Sequence, residues 1–261
     1  MNKYMKLIAM SFKENTVYRS KVILYIIGGL IQVFMYYYIW NAVFDNGGNV
    51  IGGYSRLEFI TYIIVSFSLS GVMPSSVSNA LSKDVRTGDI VSLMTKPISI
   101  DYYYLFYNIG DGIITGIFMG LPLFIIGYFY LGVMLPYNIL TFIISLALGF
   151  VVVFYLNFII GQLSFFTTSV VGIVIAYQSV SMFLSGSIVP LSLLPGSVRT
   201  VIEVLPFKSG FSIPLNIYLG KISGEEVVYN ILFQVMWIFI LKFLSDRIYK
   251  LGLEKNSILG G

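Results

Sequence analysis

Long uncharged apolar runs alternate along this chain with short polar segments, and the alternation predicts membrane-spanning helices. Residues 22–44 carry no charge, and the run exceeds the ~20 residues a helix needs to cross the hydrocarbon core. Tyr36, Tyr37, Tyr38 and Trp40 sit near its end, where an interfacial aromatic belt is expected. Residues 45–56, rich in Gly and Asn, read as a turn region. A second uncharged run covers residues 59–82, with Pro74 placed to kink it and Ser75, Ser76 and Ser78 placed to satisfy the backbone groups a proline frees.

Residues 112–198 contain no charge at all, too long a run for one helix. Leu135-Pro136-Tyr137-Asn138 divides it once, and the string SFFTTS at residues 164–169 divides it again. The third, fourth and fifth spans are then expected at residues 103–131, 139–165 and 170–189. Beyond them Pro190, Pro195, Pro206 and Pro214 cut the chain into short apolar pieces that suit helices lying along, or dipping into, one membrane face. The sixth span is expected at residues 227–244, with Lys242 snorkelling toward the interface and a basic tail following. Before the first span, Lys3, Lys6 and Lys13 fall in one arc of a helix, with Tyr4, Leu7, Ile8 and Phe12 opposite. That pattern fits an amphipathic helix in the membrane interface over residues 1–20. The same stretch lacks the compact apolar core and small-residue cleavage site of a signal peptide.

The expected fold is therefore an all-α polytopic membrane protein of one domain, residues 1–261, with six transmembrane helices. An even number of spans puts both termini on one side, and charge decides which. Twelve of the 16 Lys and Arg residues flank the first span, the second loop and the last span on that side; Arg56, Arg199, Lys208 and Lys221 lie opposite. The positive-inside rule then makes both termini cytoplasmic in a plasma-membrane protein and puts the proline-rich segment, residues 190–226, outside.

The second loop is the most strongly shaped polar element. Residues 81–101 read LSKDVRTGDIVSLMTKPISID. Gly88 interrupts one helix, Asp89 is placed to cap the next, and Pro97 disfavours helical geometry at Lys96, so a short helix of about six residues between Asp89 and Lys96 is expected within a loop of residues 82–100. Ile90, Leu93 and Met94 fall at i, i+3 and i+4 and form an apolar face, with Arg86 and Lys96 at its rim. The spacing suits a docking element and equally suits a solvated linker.

Composition narrows the chemistry. Only 11% of the 261 residues are charged and 57% are hydrophobic, where soluble chains carry about 25% charge; mean hydropathy is +0.87. The basic residues do not cluster on a module with base-stacking aromatics, so no nucleic acid partner is expected. The chain has no Cys and no His, which removes disulfides, Cys/His zinc sites and Ser-His or Cys-His catalysis. The nearest approach to a P-loop, Gly220-Lys221, has Leu215 and Ile222 where Gly and a hydroxyl belong, so the chain itself is expected to bind no nucleotide, cofactor or metal and to be no enzyme.

Asp111 is the ionisable residue set inside a predicted span, in the string Asn108-Ile109-Gly110-Asp111-Gly112. An acid in that position is a candidate for a transport pathway, or for a polar contact between helices near the interface. Gln32, Asn157, Gln162, Gln178 and Gln234 also fall within spans, where helix-to-helix hydrogen bonds are the usual role.

In order and sidedness, the amphipathic helix before span one, the string Gly88-Asp89-Ile90 with Leu93 and Lys96-Pro97, and Pro190, Pro195 and Pro206 before the last span resemble the ABC-2 type permease family, the membrane half of ATP-binding-cassette exporters. The resemblance implies an alternating-access exporter subunit. It makes residues 89–95 the coupling helix that docks on a cytoplasmic ABC ATPase, with ATP and Mg on that partner. It also implies a second permease chain, identical or different, meeting this one in membrane lipid at the substrate path. Two other readings stay open: an ion-coupled secondary transporter using Asp111, and a non-transporting membrane scaffold.

Overall fold

A computed structural model of the chain describes residues 3–16, 19–167 and 170–259. Thr168 and Ser169 of the SFFTTS divider, and the side chains of Lys13, Arg19, Lys21 and Lys255, lie outside the described residues.

Helix α1 (Lys3–Thr16) precedes α2 (Arg19–Gly47). The turn region folds as a hairpin of β1 (Val50–Ile51) and β2 (Tyr54–Ser55), the only strands among the described residues. Helix α3 (Arg56–Ser70) starts on a capping box: Ser55 Oγ accepts from Glu58 N, and Glu58 accepts from Ser55 N at 2.7 Å. Helices α4 (Val77–Thr87) and α5 (Ile90–Met94) lead to α6 (Ile100–Thr115), which runs through one π-helical turn, Gly116–Gly120, into α7 (Leu121–Leu131). Helix α8 (Ile139–Gln162) follows, capped by Asn138 Oδ1 on the amides of Leu140 and Thr141. The remainder is α9 (Val170–Leu184), the short α10 (Gly196–Val204) and α11 (Ser212–Tyr218), and α12 (Glu225–Leu259).

The fold is all-α and of membrane type. Four helical stretches are long and apolar enough to cross a bilayer: Ile26–Gly47, Ile100–Leu131, Ile139–Phe165 and Glu225–Glu254. They coincide with the first, third, fourth and sixth expected spans. The second expected span is not one helix. It breaks between Ser70 and Val77, around Pro74, into α3 and α4. Polar groups on two neighbouring helices hold the broken backbone. Gln178 Nε2 of α9 donates to Ser75 O at 3.3 Å, and Ser76 Oγ donates to Asn108 Oδ1 of α6 at 3.3 Å. The fifth expected span is shorter than residues 170–189. Helix α9 has 15 residues, about 22 Å, because the chain turns at Ser185 and at Gly186, whose φ is +78°.

Two apolar clusters fill the interior at opposite ends of α8. One surrounds Phe59, Tyr62, Ile64, Phe142, Leu215 and Tyr218; the other surrounds Leu81, Ile90, Leu93, Tyr104, Phe154 and Phe158. The break at Pro74 divides them, α3 feeding the first and α4 the second. Helix α12 has 35 residues, about 52 Å. It therefore passes both clusters and continues through the segment expected to be a basic tail. Helix α1 lays its apolar side along α6: Leu7 and Ser11 are buried, Tyr4 meets Phe106 with ring centroids 4.5 Å apart, and the missing side chain of Gly110 admits the Ile8 backbone. Its other side still exposes Met5 and Met10, as an interfacial helix requires.

Candidate functional site: a short loop helix and an intramembrane cleft

Gly88 ends α4 in the left-handed conformation, with φ +82°. The chain then turns into α5, which begins at Ile90, directly after Asp89, and ends at Met94. Asp89 precedes it without capping through its side chain; its carboxylate accepts from Thr87 Oγ1 at 2.7 Å instead, closing the turn between the two helices. Ser92 Oγ and Thr95 Oγ1 donate to the carbonyls of Asp89 and Ser92, so these hydrogen bonds are local.

The expected apolar face of α5 divides in two. Ile90 and Leu93 are buried, 5% and 7% exposed, in the cluster with Leu81 and Tyr104. They seat the helix on its own chain. Met94 is 40% exposed, and Val91, which the i, i+3, i+4 pattern omits, is 61% exposed. Arg86, Asp89 and Lys96 are exposed around them, Lys96 with its ammonium 4.8 Å above the Tyr103 ring. Lys3 Nζ of α1 donates to Pro97 O at 2.8 Å, tying the far end of the loop to the N-terminal helix.

Beneath the loop, Asp101 at the start of α6 is buried and paired with Lys242 of α12 at 2.8 Å. Lys242 also meets Asp246 at 2.6 Å, and Tyr155 OH of α8 donates to Asp101 at 3.4 Å. Lys242 thus joins two helices, where its position in sequence predicts only snorkelling. A cavity of about 340 Å³ opens here, with Met94, Asp101, Gln162 and Lys242 in its wall. The pair was discernible in principle: Asp101 and Lys242 are opposite charges at the margins of two apolar runs expected to end on the same face.

Asp111 lies nearly three turns further along α6, on the wall of a cleft of about 580 Å³. Gln32 of α2, Ser68 and Ser70 of α3, Ser75 and Ser76 of the break, and Thr115 share that wall. On one side of the cleft the end of α3 and the residues just after it meet α6 and the π turn at backbone distance. A Cβ on Gly112 would lie 2.6 Å from Val72 O, and one on Gly120 would lie 2.3 Å from Ser68 O. Gly112, Gly116 and Gly120 recur every fourth residue, a small-residue stripe of the kind that lets membrane helices approach closely. This spacing was visible in the sequence and is the signal that the polarity pattern overlooks. The π turn at Gly116–Gly120 then re-aims Met119 and Gly120 into the cleft wall.

Four of the five in-span amides make the expected contacts between elements. Ser78 Oγ donates to Asn157 Oδ1, Gln162 Nε2 donates to Ser245, Gln178 reaches Ser75, and Gln234 Nε2 donates to Ser145 O and Ser209 O, each at 3.0 Å. Gln32 instead faces the cleft.

The exposed short helix, the ion-pair cluster beneath it and the polar cleft thus follow one another along α6. A family model described as ABC-2 family transporter protein matches residues 30–260. No curated protein sequence matches the chain.

Proposed function

We propose a role for this chain from one premise: it belongs to the ABC-2 transporter family. It is the membrane-spanning permease subunit of an exporter whose ATPase is a separate polypeptide carrying ATP and Mg. Membrane components of this family are generally not themselves catalytic. The chain crosses the plasma membrane six times, α3 with α4 and the short α9 completing the two passes that no single long helix supplies. Both termini and α5 face the cytoplasm, and the proline-rich segment faces outward. A second permease chain, identical or different, meets this one in the membrane.

One observation carries the docking assignment. Ile90 and Leu93 fix α5 to the body of the bundle while Val91 and Met94 stay exposed between Arg86, Asp89 and Lys96. An apolar centre with a charged rim is how a docking helix engages a groove. Motion imposed on α5 then passes to α6 at Ile100 and to α12 through Asp101 and Lys242. Co-purification tests this. Val91→Asp with Met94→Asp abolishes recovery of the ATPase with a normally inserted permease, and undiminished recovery overturns the assignment.

A second reading draws on the cleft at Asp111, which supports an ion-coupled pathway through the same chain. Under the exporter reading Asp111→Asn lowers transport while ATP dependence persists. Flux driven by a proton gradient, without an ATPase and abolished by Asp111→Asn, favours the second reading.

A further inference from the structure

At the end of the bundle remote from α5, the hairpin, α10, α11 and the start of α12 enclose a cavity of about 510 Å³. Its wall includes Tyr54, Arg199, Glu203, Lys208, Asn216 and Lys221. The charges in it do not balance. Arg199 Nε is paired with Glu203 at 2.8 Å, and Lys221 Nζ is paired with Glu58 at 2.8 Å. Lys208 is half-buried and has, among the described residues, no carboxylate within ion-pair distance. Its ammonium instead lies 4.3 Å from the centroid of the Phe233 ring. Tyr54 does not offset the excess: burial above all pushes its phenol up to about 12, with Glu58 adding to the rise and the Asn216 hydrogen bond opposing it, so the ring stays neutral.

A cation withdrawn from water without a counter-charge is costly, and one aromatic face replaces only part of its hydration. Burial accordingly pulls the Lys208 ammonium below the ordinary lysine value, against the opposing pull of Glu203. Pairing Lys208 internally would have removed that cost. The neighbouring acids are instead engaged by Arg199 and Lys221, which leaves Lys208 as the open position of the cavity.

We infer that this cavity binds a phosphate-bearing anion, with Lys208 as its principal charge contact and Arg199 and Lys221 at the margin. Charge-assisted hydrogen bonds to a phosphate oxygen would restore what burial takes from the ammonium. The surroundings suit an amphiphile: Val228, Tyr229 and Leu232 of α12, and Val201 and Val204 of α10, are exposed apolar residues on two elements that form the cavity. A lipid head group and free phosphate share the recognised chemistry, and the experiment separates them. The inference does not depend on ATPase docking.

Purified full-length protein is titrated with short-chain phosphatidylglycerol and, separately, with inorganic phosphate, for the wild type, Lys208→Arg and Lys208→Gln. Thermal unfolding of each variant serves as the folding check. We expect the phospholipid to bind the wild type and Lys208→Arg, with at least a tenfold weaker affinity for Lys208→Gln. The same loss seen with inorganic phosphate at equal affinity supports the site and identifies the free anion as its ligand. Equal binding of both probes to wild type and Lys208→Gln, or binding of neither probe to the wild type, overturns the inference.

Discussion

The two ends of the bundle are held together in different ways. At the hairpin end, side chains reach the backbone of segments far away in sequence. Tyr62 OH donates to Gly186 O at 2.7 Å, Ser66 Oγ to Ser187 O at 2.6 Å, Ser192 Oγ to Gly52 O at 2.6 Å, and Tyr218 OH to Met134 O at 2.6 Å. The Lys221–Glu58 pair closes over them. At the α5 end the loop's hydrogen bonds are mostly local, and two buried apolar side chains, one ion-pair cluster, the Tyr104–Asp84 hydrogen bond and the tie from Lys3 to Pro97 O hold it to the body. One end is a clamp with many independent ties. The other has fewer, and the motion proposed for α5 falls on this less constrained end.

The ion-pair cluster at the α5 end depends on Lys242. Lys242→Met leaves Asp101 buried without its partner, a loss of about 3 kcal/mol, toward the low end for buried pairs because the lysine is partly exposed. Thermal unfolding of the purified protein reads the loss, and Lys242→Arg restores most of it. At the clamp, Tyr62→Phe strands a single acceptor at Gly186 and costs about 1–2 kcal/mol in the same assay, since the other ties persist.

The smallest effect is a pH dependence at the clamp. Burial acts to raise the Glu58 carboxyl, but hydrogen bonds from Lys221 and from Ser55 outweigh it and hold the group below the usual carboxylate range. Because the folded value is depressed, the contribution is present above the unfolded value and is lost as pH falls through the folded one. Below the ordinary glutamate range, about pH 4, the wild type therefore loses stability that a Glu58→Gln variant does not.

Much of this difference between the ends could be read from residue pattern. The run lengths placed α2, the α6–α7 segment, α8 and α12, because helices longer than the hydrocarbon core announce themselves by composition alone. Pro74 gave the position of the break, but not that polar side chains on α6 and α9 would hold it open enough to make two helices. Gly88 and Pro97 bounded α5. Which side of it faces inward was hidden, since Ile90, Leu93 and Met94 fit one stripe whether the stripe meets a partner or the chain itself. Asp111 was prominent as an isolated acid, whereas the cleft around it depends on contacts of Gly112 and Gly120 with backbone carbonyls that no polarity pattern encodes. Lys208 was visible only as one of four basic residues on the sparser side, and its lack of an acidic neighbour is a property of the folded state.

Two double variants of the permease, each co-expressed with the proposed ATPase partner, separate the face of α5 that seats it on the bundle from the face proposed to dock. Val91→Asp with Met94→Asp is predicted to leave thermal stability within about 0.5 kcal/mol of wild type, as exposed substitutions do, and to abolish ATPase co-purification. Ile90→Ala with Leu93→Ala is predicted to lower stability by about 2–5 kcal/mol for each truncated side chain. Full recovery of the ATPase with the Val91 and Met94 variant would rule out docking through that face.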